Sequence, residues 1–104
     1  MCVTETVAEH FAKKVSQMLE IINNSCIEYD QVGVFGSYAR NDYKSTSDID
    51  FCIITNETDR YLRGFLRDEA ENLGVDLTFI TPDYYMYDSS SFAENLRKDF
   101  RRLL

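Results

Sequence analysis

With 104 residues, 44% hydrophobic and 28% charged, the chain can build one compact core and is composed as a globular domain rather than a disordered one. A formal net charge of −7 repels polynucleotides and argues against a DNA- or RNA-extending activity, and no apolar run approaches the roughly 20 residues of a membrane span. Three cysteines at unrelated spacings, Cys2, Cys26 and Cys52, show no zinc pattern; with an N-terminus that lacks a signal-peptide layout, they point to a reducing cytoplasm.

From about Thr6 to Ile22, Val7, Phe11, Val15, Met18, Leu19 and Ile22 recur at helical spacing. Thr6 followed by Glu9 reads as a capping box, and Asn23-Asn24-Ser25 as the stop. His10 on this helix reads as a surface or half-buried residue. Gln31 to Phe35 is the first predicted strand. Gly36-Ser37 then signals a strand-to-turn junction, with a short helix beginning at Ser37 whose free backbone N–H groups can receive an anion. The second strand, Ile49 to Thr55, is rich in β-branched residues.

Asp48 and Asp50 open that second strand two residues apart, so their side chains leave one face about 6.7 Å apart along the chain. Two carboxylates so close repel unless a cation sits between them, and a pair of Mg²⁺ ions about 3.5–4 Å apart uses such a face to clamp the oxygens of an in-line displacement. A phosphate seat leading into this pair implies a nucleoside triphosphate. The alternative for the two acids is a solvated turn that caps a strand.

Asn56-Glu57-Thr58 makes a turn or cap, and Tyr61, Leu62, Phe65, Leu66, Ala70 and Leu73 mark a second amphipathic helix ended by Gly74. Gly64 inside it is unfavourable, and close packing on a sheet is one explanation. In the third strand, Val75 to Ile80, the residues Val75, Leu77 and Phe79 face one way and Asp76 interrupts the other face, supplying a third acid. Pro82 ends the strand and Tyr84 to Tyr87 forms a connection. A last helix carries Phe92, Leu96, Phe100 and Leu103 on one face, with a basic end from Arg97 to Arg102.

Gly36-Ser37-Tyr38-Ala39-Arg40, Ser47-Asp48-Ile49-Asp50 and the later Asp76 resemble the minimal nucleotidyltransferase family of the DNA polymerase β superfamily, whose pattern is G-S-x-A-R-G, a spacer, S-D-[IVL]-D and a third acid on a later strand. Asn41 stands where the family has glycine; if that position is left-handed, Asn is the best tolerated substitute. The resemblance implies an α/β (α+β) polymerase β-like fold, a small mixed three-stranded sheet backed by helices, with residues 1–104 as one domain. It also implies an enzyme that transfers AMP from ATP, with Mg²⁺ (two ions) held by Asp48, Asp50 and Asp76. Gly36, Ser37, Arg40 and Ser47 form the expected nucleotide-binding set. Arg40 has a second reading as a surface pair with Asp42 or another acid, and Ser47 one as the residue that orients the loop before the acids.

Short members of this family often act as antitoxins that bind a helical HEPN ribonuclease toxin and add AMP to its tyrosine, so such a protein is the implied partner. The basic last helix and the Tyr84 to Tyr87 cluster are where contact is expected, and a homo-oligomer stays open. Three other classes compete: an antitoxin that neutralises by contact alone, an aminoglycoside-type adenylyltransferase completed by a helical partner, and a purely structural domain.

Overall fold

The computed structural model describes residues 6–104; Cys2 lies outside the described residues. The chain runs α1 (Val7–Asn24), β1 (Gln31–Phe35), α2 (Gly36–Arg40), β2 (Ile49–Ile54), α3 (Arg60–Leu73), β3 (Val75–Ile80), α4 (Pro82–Tyr87), α5 (Ser91–Asp99) and β4 (Arg101–Arg102). The sheet order is β3-β2-β1-β4, with β1 antiparallel to both β2 and β4, and β2 parallel to β3. The parallel pair is joined through α3, the crossover that such pairing requires.

Thr6 caps α1 by accepting a hydrogen bond from the Glu9 amide at 3.1 Å, while its hydroxyl donates to the Glu9 carboxylate. The buried stripe Phe11, Val15, Met18 and Ile22 then packs on one face of the sheet with Val32, Val34, Ile49, Phe51, Ile53, Leu66 and Val75. A second cluster of Cys52, Ile54 and Leu96, with Phe35, Ile80, Tyr85 and Phe100 against it, lies on the opposite face. Successive residues of β2 alternate between these two layers, as a strand covered on both sides must. Among the described residues, no helix is long and apolar enough to cross a membrane.

Several sequence expectations are corrected. The sheet has four strands rather than three, because the last helix ends at Asp99 and Arg101–Arg102 pair with Gly33 and Val34. Gly33 permits this: a Cβ there would collide with the Arg101 carbonyl oxygen and the Phe100 ring. Phe100 and Leu103 therefore reach the core from beyond the helix, and Phe92 is 45% exposed. Tyr84–Tyr87 belongs to a helix, since Pro82 stands where its missing N–H costs nothing and the Thr81 hydroxyl accepts from the Tyr84 amide. Close packing does not explain Gly64, because a Cβ there would meet nothing within 4 Å.

Candidate active site

The turn from β1 into α2 brings the two halves of the motif together. Gly36 has φ +74°, a left-handed value, and a Cβ on it would lie 2.5 Å from the Asp50 Oδ2. Glycine is thus needed twice, for the backbone bend and for the approach of the carboxylate. Five residues later Asn41 closes α2 at φ 63° and ψ 29°, its amide donating to the Ser37 and Tyr38 carbonyls. This is the left-handed position at which Asn substitutes for glycine.

Strand register assembles the acids. Asp50 pairs with Phe35 across β1/β2 and with Asp76 across β2/β3, so Asp50 and Asp76 sit side by side on one face, with Asp48 just ahead of β2. This is the face of Cys52 and Ile54, which α5 and the following Phe100 cover farther along. Asp50 is half-buried, whereas Asp48 and Asp76 are exposed. Burial, then repulsion from Asp76 and from Asp48, pushes the Asp50 carboxyl up to about 6, and Arg40 pulls it down. The three acids therefore share one electrostatic neighbourhood with Arg40 at its edge.

Three carboxylates offer hard oxygen donors suited to Mg²⁺. Among the described residues, no three His, Cys, Asp or Glu side chains already converge on one point that could hold an ion. Asp48 and Asp76 are exposed, and exposed rotamers exchange within nanoseconds. The donor set fits the ion in its chemistry, three carboxylates on the ends of β2 and β3.

The remaining motif residues divide. Arg40 donates from Nε to Asp42 at 3.1 Å and from Nη1 to Asp99 at 2.7 Å. These two acids, Asp99 first, raise the pKa of the guanidinium above its ordinary value. Ser47 accepts a hydrogen bond from the Lys44 amide at 2.8 Å and returns its own amide to the Lys44 carbonyl, closing the loop that leads to Asp48. That is the loop-orienting reading of Ser47. Asp99 is not singled out by sequence; the one signal is an acid in the last turn of a helix whose neighbours, Arg97 and Lys98, are basic.

An open cleft of ≈ 470 Å³ adjoins the acids on the β3 side, lined by Asp48 and Asp76 together with Arg67, Glu71 and Leu77. Arg67 also lies over the Phe79 ring at 5.1 Å. The end of the sheet thus carries, in lateral order, the Gly36 bend on β1, Asp50 on β2 and Asp76 on β3, with the cleft beyond β3 alongside α3.

Comparison with known proteins agrees with this fold. Residues 12–102 match the nucleotidyltransferase domain family. A Methanocaldococcus jannaschii protein provisionally named a protein adenylyltransferase is 38% identical over 77 residues, covering 66% of this chain and 90% of the relative. The structure of a provisionally assigned minimal nucleotidyltransferase superimposes with a TM-score of 0.61 at 18% identity, over 98% of this chain and 100% of the other. The crystal structure of a toxin–antitoxin with AMP-PNP gives a TM-score of 0.57 at 19% identity, over 88% of this chain and 71% of the other. The chain belongs to the nucleotidyltransferase domain family and is a nucleotidyltransferase.

Proposed function

We propose that this enzyme transfers AMP from ATP to a hydroxyl of a partner protein, as the antitoxin of a toxin–antitoxin pair, and that the acceptor is a tyrosine of a HEPN-type helical toxin. The observation that carries the catalytic reading is the register pairing of Asp50 with Asp76 beside the Gly36 bend. The protein acceptor is supported by the name of the M. jannaschii relative, and the antitoxin role by the toxin–antitoxin neighbour.

Asp48 and Asp50 would hold two Mg²⁺ ions, with Asp76 a further ligand; when bound, the ions neutralise charge on the attacking and leaving oxygens. The backbone N–H groups of Gly36 and Ser37, with the Ser37 hydroxyl, would grip the β- and γ-phosphates. The acceptor oxygen bonds to the α-phosphorus, the bond from that phosphorus to the bridging oxygen breaks, and pyrophosphate departs. The hydroxyl proton passes to Asp76. In-line displacement requires the entering and leaving oxygens on opposite sides. With the phosphate seat on the β1 flank, the acceptor enters from the β3 flank, through the cleft bounded by Arg67 and Glu71.

Docking of a partner is supported by exposed apolar side chains on α4 and α5, Met86 at 62%, Tyr87 at 75% and Phe92 at 45%. The basic end of α5 contributes less than its composition implies. Arg97 is spent on the Tyr85 and Asp88 carbonyls at 2.8 and 2.7 Å, and Arg101 lies over the Tyr38 ring. The same surface would also serve an antitoxin that neutralises by contact alone. Incubation with labelled ATP, Mg²⁺ and the helical partner separates the two. Label on the partner that vanishes with Asp48→Asn is the expected result; full neutralisation by the unlabelling variant would favour contact alone.

A further inference from the structure

We infer that Asp99, the last residue of α5, is a positioning residue for nucleotide binding: its carboxylate holds the Arg40 guanidinium beside the acid site with Nη2 turned to the triphosphate. This rests on the nucleotidyltransferase reading of the site given above. An acid in the last turn of a helix opposes the helix dipole, and Arg97 and Lys98 in the same turn follow the favourable sign. A compensating partner is expected, and Arg40 Nη1 supplies it at 2.7 Å across 59 residues of sequence.

The two tethers of Arg40 are unequal. The Asp42 side chain is 60% exposed, so that pair is screened by water, whereas the Asp99 side chain is 13% exposed. Asp99 is also anchored on both sides: the Phe100 amide donates to the Leu96 carbonyl, and the Phe100 ring and Arg101 carbonyl close on Gly33 of β1. Nε and Nη1 are both engaged, while Nη2 has no hydrogen-bond partner among the described residues. The guanidinium meanwhile acts electrostatically on Asp50. A cation so held at the edge of the carboxylates, one turn from the Gly36 bend, suits an anionic ligand better than a simple strut between α2 and α5.

A strut and a positioner differ in what Asp99→Asn does. Binding of a non-hydrolysable ATP analogue with Mg²⁺ is measured by calorimetry, alongside thermal unfolding, for wild type, Asp99→Asn, Asp99→Glu, Arg40→Gln and the Asp99→Asn/Arg40→Gln pair. The expected result is about tenfold weaker analogue binding for Asp99→Asn, recovery of most of that loss in Asp99→Glu, and no further loss when Asp99→Asn is added to Arg40→Gln. Wild-type affinity in a folded Asp99→Asn, or losses that add in the double variant, would overturn the proposal, as would an Asp99→Asn chain that no longer folds while Asp99→Glu folds and binds weakly. Absence of binding by the wild type would instead overturn the nucleotide-site reading on which it rests.

Discussion

Asp50 carries a cost to folding stability that grows with pH. Its carboxyl is raised from the ordinary 3.8 to about 6 by burial and by the neighbouring Asp76 and Asp48. The folded state therefore binds this proton more tightly than the unfolded state, so the contribution is complete below pH 3.8 and is lost as pH rises through 6. Asp50→Asn removes the penalty. Its melting temperature should gain on the wild type between pH 4 and 6 and stay above it at higher pH, as differential scanning fluorimetry would show. Adding Mg²⁺ above pH 6 should raise the wild-type melting temperature and leave that of Asp50→Asn nearly unchanged. Gly36 answers to the same carboxylate. Gly36→Ala combines a left-handed backbone with a Cβ 2.5 Å from Asp50 Oδ2, and should cost about 1–3 kcal/mol in urea unfolding and abolish transfer.

Elements built on repeated apolar spacing were legible in the sequence, because each buries a stripe that the chain itself spells out. The stripe Phe11, Val15, Met18 and Ile22 and the alternation of Val75, Leu77 and Phe79 against Asp76 are of this kind. Elements fixed by a single contact were not. Two arginines carry no strand signal, and β4 exists because Gly33 leaves room for the Arg101 carbonyl and the Phe100 ring. Gly33→Ala should detach that strand and destabilise the fold by about 1–3 kcal/mol, read from the urea midpoint. The acids at the site were visible as a motif; the Arg40–Asp99 bond was not, since it joins residues 59 apart through the way α5 docks on the sheet. Gly64 makes the opposite point. A Cβ there meets open space, so Gly64→Ala should stabilise the protein by about 0.5–1 kcal/mol in the same assay and leave transfer unchanged.

At the scale of the whole molecule, the sheet works as a ruler across one end of the structure. Antiparallel β1/β2 sets the Gly36 bend beside Asp50, and parallel β2/β3 sets Asp76 on its other flank. The helices keep the acid end of one sheet face open while α5 covers the rest of it. The measurement that bears most directly on this account is the anomalous scattering of Mn²⁺ in crystals grown with a non-hydrolysable ATP analogue. The account predicts manganese between the carboxylates of Asp48, Asp50 and Asp76, with the β- and γ-phosphates against the Gly36 and Ser37 amides. Manganese bound elsewhere, or an Asp76 carboxylate turned away from the ions with the phosphates far from the bend, would contradict it.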